Sequence, residues 1–272
     1  MQKRYEDLRF TDDFLFCKIL MDDTELCKEM TELILGRKIN RIVSPMAQKP
    51  IKMTDDGRGV RLDVYFEDDL NTVYDIEMQT THKPDLAKRA RYYQGMIDLD
   101  SLKKGRPFDE LKDSYIVFLC TFDPFGRKRH RYSFYSACKE DPSLTLADGM
   151  TKVFISTEGN DDNISSDLKA FLNYLKGFEA ETDFTKKIDQ AVLDAQEDPI
   201  WRKEYMMISM KFQEERAEGR AEEMDRTMLL LQKMVREGRS NELQGFLATR
   251  ETWEKAFEEF GIDYGEDRSA KV

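Results

Sequence analysis

The chain has 272 residues, of which 40% are hydrophobic, and its formal net charge at pH 7 is −11. This length and composition exclude a low-complexity chain and allow one sizeable hydrophobic core plus an appendage, or two modest domains. The apolar runs are too short to cross a bilayer and the first residues lack the apolar stretch of a signal peptide, so we expect a cytoplasmic protein with no membrane partner.

Helices and strands are mixed in the first part of the chain. Apolar side chains recur at the helical period where helices are expected and at every second residue where strands are expected. In order, the pattern predicts two helices in residues 11–35, an extended segment at 39–50, strands at 59–66 and 73–79, and a helix at 86–102. The first of these helices is expected to end, and the second to be capped, at residues 22–24.

Further strands are predicted at residues 115–122, 131–135 and 152–156, and a loop at 158–163. Beyond that loop almost every segment has a helical pattern. We therefore expect an α/β domain, a mixed sheet flanked by helices, in residues 1–160, and a helical region in residues 161–272. The helical region is interpreted either as a dimerising or interaction tail, or as helices folded back on the core.

Two carboxyl groups are expected to meet on the two neighbouring strands of residues 59–79. Asp63 interrupts the apolar pattern of the first strand, and Glu77 and Gln79 share one face of the second. Two converging carboxylates repel each other unless a cation or a proton offsets their charge. A divalent metal with oxygen ligands is the natural offset, and the backbone carbonyl of Met78 can add a third ligand.

Charge is unevenly distributed around these strands. Residues 53–80 carry eight acidic side chains against two arginines, whereas residues 82–106 carry seven basic side chains against three aspartates. Four more basic residues lie within residues 127–131. An acidic site between basic segments suits a polyanionic substrate that is cut with the help of a metal, although either basic segment alone could be ordinary solvated charge.

The acids have the form Asp…(Asp/Glu)-x-Lys, with Gln79 in the lysine position. Further segments occur around them in a set order: FTDDFLF at residues 10–16, VRLDVY at 60–65, IEMQ at 76–79, KRARYYQG at 88–95, LKDSYIVF at 111–118 and FDPFG at 122–126. Over roughly residues 10–215 the chain resembles the PD-(D/E)XK nuclease family transposases, also called recombination-promoting nucleases. The resemblance implies a restriction-endonuclease-like core and a metal-dependent DNA endonuclease that is linked to transposition, recombination or mobile-element defence.

The resemblance also implies roles for particular residues. Asp63 and Glu77 match the metal-binding acids, and Gln79 matches the lysine position, where it can orient a water but cannot carry a positive charge. We expect Mg²⁺, or Mn²⁺ or Ca²⁺, as the cofactor. Such a core commonly takes another acid from its first helix, and the sequence leaves this choice open among Glu25, Glu29 and Glu32.

The helix after the acids is expected to border the site and to contact DNA phosphates. The residues predicted to bind DNA are Lys88, Arg89, Arg91, Tyr93 and Gln94. No glycine-rich phosphate loop is present, so no nucleotide cofactor is expected. Besides DNA, a second copy of the chain is a possible partner through the C-terminal helices. The alternative function is a catalytically silent or weak module of the same fold that binds DNA or protein.

Overall fold

A computed structural model describes residues 3–52, 59–160 and 164–262. Part of the predicted loop at 158–163, and the acidic residues Asp55 and Asp56, lie outside these ranges. The chain divides into two compact units, one formed by residues 3–202 and the other beginning at Lys203. The boundary predicted between residues 160 and 161 stays a prediction.

The first unit is built on a six-stranded sheet. Its strands are β1 (Ile42–Ile51), β2 (Val60–Asp68), β3 (Val73–Gln79), β4 (Ser114–Cys120), β5 (Arg131–Phe134) and β6 (Met150–Ser156), in the order β1-β2-β3-β4-β6-β5. The first three strands are antiparallel neighbours, β3, β4 and β6 run parallel, and β5 is antiparallel to β6. The sheet is therefore mixed, as the sequence predicted.

The first unit also contains helices, of which the first three contact the sheet. They are α1 (Asp13–Asp22), α2 (Thr24–Leu35), α3 (Leu86–Ser101), α4 (Ser166–Lys176) and α5 (Asp183–Glu197), and α6 (Pro199–Arg236) begins in this unit. Helix α1 contacts β1 and β2, and α5 packs against α1, α2 and α4. Asp23 caps α2 by accepting a hydrogen bond from the Leu26 N–H, and Gly36 ends α2 in the left-handed conformation (φ 67°), as the sequence indicated.

Helix α3 packs on the face of the sheet that carries the acidic side chains of β3. On that face Asp75, Glu77 and Gln79 lie beside Ile116, Phe118 and Cys120 of β4. These three β4 side chains form one buried cluster with residues of α3 that are spaced at the helical period: Leu86, Ala90, Tyr93, Met96 and Ile97. The apolar stripe of α3 thus holds the helix on β4, on the same face of the sheet as Asp75, Glu77 and Gln79 of β3.

The second unit is entirely helical within its described residues. It comprises the rest of α6, α7 (Leu243–Phe246) and α8 (Arg250–Glu259). Its core contains Leu230 and Met234 from α6, packed against Ala256 and Phe257 of α8 and the following Phe260. The predicted α/β class, with a mixed sheet, flanking helices and C-terminal helices, is confirmed.

Within residues 3–52, 59–160 and 164–262, no helix is both long and apolar enough to cross a membrane. The cytoplasmic location stays a prediction.

Candidate active site

Asp63 and Glu77 meet where β2 and β3 stop pairing. The backbone ladder ends with Val64 opposite Ile76. Beyond that pair, side chains replace the ladder: Glu77 Oε1 accepts a hydrogen bond from the Asp63 N–H at 2.9 Å, and Asp63 Oδ2 accepts one from the Met78 N–H at 3.1 Å. Both side chains are buried. The structure thus brings together the two acids that the sequence put on neighbouring strands.

A third acid reaches this point from the first turn of α1. A carboxylate oxygen of Asp13, the Cys17 Sγ and a carboxylate oxygen of Asp63 all lie within 4.8 Å of one another. Asp13 is exposed, and its Oδ2 lies 3.4 Å from Nη2 of Arg61, the β2 residue two positions before Asp63. Asp13 is not among the site residues predicted from the sequence, although it lies in the FTDDFLF segment and directly precedes the buried apolar run of α1.

The three glutamates proposed from the first helical segment have other partners. Glu25 pairs with Lys28 at 3.5 Å, and Glu29 pairs with Lys187 at 2.7 Å. Glu32 accepts a hydrogen bond from the Ile39 N–H at 2.7 Å. All three lie on α2, whereas the acid beside Asp63 comes from α1. The structure therefore does not bring any of them to the site.

Cys17 is chemically distinct from its two acidic neighbours. Its thiol donates a hydrogen bond to the backbone oxygen of Asp63 at 3.3 Å. Burial, and then the charge of Asp63, raise the pKa of the Cys17 thiol. A thiolate is the form that binds metals, so a protonated Cys17 leaves the carboxylate oxygens as the ligands of this cluster.

Asp75 is a further buried acid on the same face of β3 as Glu77. Its side chain is fully buried, and among the described residues no N–H or hydroxyl group donates to either carboxylate oxygen, so the neighbouring Glu77 carboxyl could bond to it only by sharing a proton. Burial, with Asp63 nearby, raises the pKa of Asp75 well above its ordinary value. A carboxyl group buried without donors is stable only when it is protonated or faces a cation. The alternation of side chains along β3 explains why Asp75 shares a face with Glu77, but only the structure shows that Asp75 is buried without an N–H or hydroxyl donor.

The same causes act on the other two buried acids. Burial, and then the charge of Glu77, raise the pKa of Asp63, and burial, and then the charge of Asp75, raise the pKa of Glu77. Without a cation, this cluster therefore favours protonated carboxyl groups. A bound cation would favour their ionised forms instead.

Arg89 approaches the acids from α3. Its Nη1 donates a hydrogen bond to Gln79 Oε1 at 2.9 Å, and its Nη2 donates one to the Tyr93 hydroxyl at 2.9 Å. The same Nη2 lies 3.9 Å from Glu77 Oε2. Gln79 Nε2 in turn donates to the backbone oxygen of Met78 at 2.9 Å. The Gln79 amide is therefore engaged at both ends, and the proposed Met78 ligand oxygen already accepts one hydrogen bond.

The residues of α3 predicted to bind DNA fall into two groups. Lys88 and Arg91 are exposed, whereas Arg89 is only partly exposed and Tyr93 is buried beside it. Gln94 is buried and donates to the Ser114 hydroxyl and to Asp98, at 2.8 Å each. A DNA contact by Gln94 would require it to leave these bonds. Of the five residues predicted to bind DNA, Lys88 and Arg91 are therefore the two with exposed side chains.

A family model described as PD-(D/E)XK nuclease family transposase matches residues 12–229, most of the chain. The chain belongs to this family. The match includes all the acids that meet at β2 and β3. Comparisons with curated proteins and with solved structures find no match. Membership of the PD-(D/E)XK nuclease family transposases confirms the predicted fold type and supports a function related to DNA cleavage or transposition.

The donor set of this PD-(D/E)XK site fits a hard divalent cation. Asp13 and Asp63 place carboxylate oxygens close together, and Glu77 adds a third carboxylate on the neighbouring strand. Oxygen ligands are those that Mg²⁺ and Mn²⁺ prefer, and the cation would offset the repulsion among the acids. The family uses divalent metals, and the residues present are suited to hold one.

Proposed function

We propose that this chain is a divalent-metal-dependent DNA endonuclease that hydrolyses phosphodiester bonds during transposition, recombination or mobile-element defence. The observation that carries the proposal is the approach of the Asp13 and Asp63 carboxylates at the point where β2 and β3 separate. Glu77 lies next to this pair, and its carboxylate accepts a hydrogen bond from the Asp63 backbone N–H. Such a cluster is unfavourable by itself and becomes favourable when a cation binds. Mg²⁺ is the proposed ion, with Mn²⁺ or Ca²⁺ as substitutes.

In this proposal Asp63 and Glu77 hold the metal, and Asp13 is the additional acid from the first helix. The bound metal would supply positive charge against a phosphodiester oxygen and would make a water molecule more acidic. Gln79 lies on the same strand face as Glu77, where its amide can orient that water. The backbone oxygen of Met78 has a second lone pair with which it can join the ligands.

DNA would approach over the exposed side of α3. Lys88 and Arg91 project there, one turn apart, and their charges suit contacts with phosphates. Because most of the net negative charge lies elsewhere, this local basic surface can attract DNA even though the whole chain is acidic.

Cleavage of supercoiled plasmid in the presence of Mg²⁺, Mn²⁺ or Ca²⁺ tests the proposal. We expect nicked or linear product with at least one of these ions and none with EDTA. Asp63→Ala and Glu77→Ala should each abolish cleavage, whereas Glu25→Ala, which removes an exposed acid of α2, should not. Cleavage that persists in the first two variants would refute the assignment of the site.

Gln79 favours a second candidate function. Because it carries no charge and its amide is already bonded to Met78 and Arg89, the site lacks a cationic side chain at the family's lysine position. A silent member of the family would bind DNA or protein without cutting. It predicts salt-sensitive DNA binding with no metal-dependent nicking, and the two functions are separated by running both assays on one preparation.

We also propose that the chain forms a homodimer through α6, because two active sites are needed to cut both DNA strands at once. Four exposed methionines lie on one side of this helix at positions that are four, fourteen and four residues apart: Met206, Met210, Met224 and Met228. Light scattering on the full chain should give twice the monomer mass. Replacing Met210 and Met224 by Lys should return the mass to that of one chain. A wild-type monomer would refute the dimer.

A further inference from the structure

The third position of the PD-(D/E)XK motif lacks its usual charge in this chain. Residue 79 is glutamine, and its amide is held between the Met78 backbone oxygen and Arg89. A lysine at this position would bring a positive charge to the acids and to the phosphodiester. The chain must either function without that charge or take it from elsewhere in the fold.

Arg89 is placed where such a charge is needed. Its guanidinium contacts the side chain of residue 79 itself, at 2.9 Å, and lies 3.9 Å from Glu77. Its side chain is only 20% exposed, so solvent screens its charge less than it screens the charge of Lys88 or Arg91. The helical spacing of four residues brings Tyr93 under the guanidinium, with its ring centre at 5.5 Å and its hydroxyl accepting a hydrogen bond.

We infer that Arg89 supplies from α3 the positive charge that residue 79 lacks. This inference rests on the proposed nuclease function and assigns Arg89 a role distinct from general DNA binding. An arginine suits the position because its planar fork can contact Gln79, Tyr93 and Glu77 at once and still present an N–H to a phosphate oxygen.

The position of Arg89 has two consequences of opposite sign. Because the positive charge of Arg89 lies close to Glu77, it repels a metal ion that binds to the acids. The site therefore binds metal less tightly than the acids would without Arg89. The same charge stabilises the negative charge that develops on the phosphodiester, so cleavage is faster. A residue that only held Glu77 and Gln79 in place would increase both the metal affinity and the cleavage rate.

The inference is tested by measuring Mn²⁺ affinity without DNA, by calorimetry, together with plasmid cleavage by the same preparations. We expect Arg89→Gln to tighten Mn²⁺ binding by at least about threefold and to slow cleavage by about 100-fold or more. Arg89→Lys should retain part of the cleavage rate. Lys104→Gln is the control, because it removes the same charge from an exposed side chain that lies beyond the end of α3. It should leave Mn²⁺ affinity unchanged.

Moving the charge back to residue 79 completes the test. The double variant Gln79→Lys/Arg89→Gln should cleave at least about tenfold faster than Arg89→Gln, because it again places a cation beside Glu77. Equal or weaker Mn²⁺ binding in Arg89→Gln, or no recovery in the double variant, would overturn the inference. Wild-type protein that binds Mn²⁺ but never cleaves would refute the proposed function instead. The affinity change of Arg89→Gln alone would then decide the role of Arg89, tighter binding supporting it and equal or weaker binding overturning it.

Discussion

Replacing Asp75 by Asn tests whether the buried acids of β3 destabilise the chain when no cation is bound. Asp75 is fully buried, and among the described residues no N–H or hydroxyl group donates to its carboxylate oxygens. Asn has almost the same shape but carries no charge at any pH. The substitution therefore removes the titration of one group and leaves the packing of the sheet against α3 nearly unchanged.

The sign of the effect follows from the pKa. Burial raises the pKa of Asp75 in the folded chain above the value of about 3.9 expected in an unfolded one. The folded chain then keeps a proton that the unfolded chain releases, so the unfolding free energy falls as the pH rises from about 4 toward the raised pKa. One proton corresponds to at most about 1.4 kcal/mol per pH unit. Asp75→Asn removes the contribution of Asp75 to this pH dependence of the unfolding free energy.

Thermal unfolding in EDTA between pH 4 and pH 8 measures the difference. At pH 8 we expect Asp75→Asn to be more stable than the wild type by about 1.4 kcal/mol for each pH unit by which folding raises the pKa of Asp75, because Asn has no proton to lose. Each kcal/mol should raise Tm by about 2–4 °C, and the advantage should disappear near pH 4. Asp109→Asn, which changes an exposed acid, is the control. Parallel stability curves for Asp75→Asn and wild type, or a loss of stability at pH 8, would refute the reasoning.

Three further outcomes are expected. Mn²⁺ at 100 times its Kd should add about 2.7 kcal/mol to the unfolding free energy. In a thermal-shift titration, Asp13→Asn should gain less stability from Mn²⁺ than the wild type, whereas the control Glu29→Gln should gain as much. Equal gains in the two variants would exclude Asp13 from the site. Phe257→Ala should cost about 3–5 kcal/mol in the C-terminal unit because it empties the centre of that core; far-ultraviolet circular dichroism during heating should show an earlier loss of helix, and an unchanged transition would contradict the packing. If Lys88 and Arg91 each contact one phosphate, Lys88→Gln and Arg91→Gln should each reduce by about one the steepness with which the logarithm of the DNA-binding constant falls with the logarithm of salt concentration. Fluorescence anisotropy measures this slope. An unchanged slope would show that DNA binds to another surface.

Much of the fold could be predicted from local patterns of apolar and polar residues. The period-two alternation of β2 and β3 was sufficient to put Asp63 and Glu77 on neighbouring strands, and the helical period of residues 86–102 was sufficient to place α3 after them. Helix ends were also predictable, because Gly36 takes a conformation that other residues avoid. These features depend on residues that are close in the chain, and the physical rules that relate them are short-range.

Which acids meet at the site, and with which partners, depends on contacts between residues that are far apart in the chain. Asp13 and Asp63 are fifty residues apart, and their approach follows from the packing of α1 against β2. Glu25, Glu29 and Glu32 were equally reasonable from their spacing alone. Their exclusion required the position of α2, whose acids pair with lysines and with a backbone N–H.

The sequence by itself determined the α/β class, the family resemblance and the pair Asp63 and Glu77, because short periods and ordered motifs encode them. Only the tertiary structure decided how the side chains of α3 divide, with Gln94 bonded in the core, Lys88 exposed and Arg89 turned toward the acids. A basic helix has the same composition whichever way it is rotated. Its apolar contacts with β4 set the rotation, and those contacts exist only once the sheet has formed.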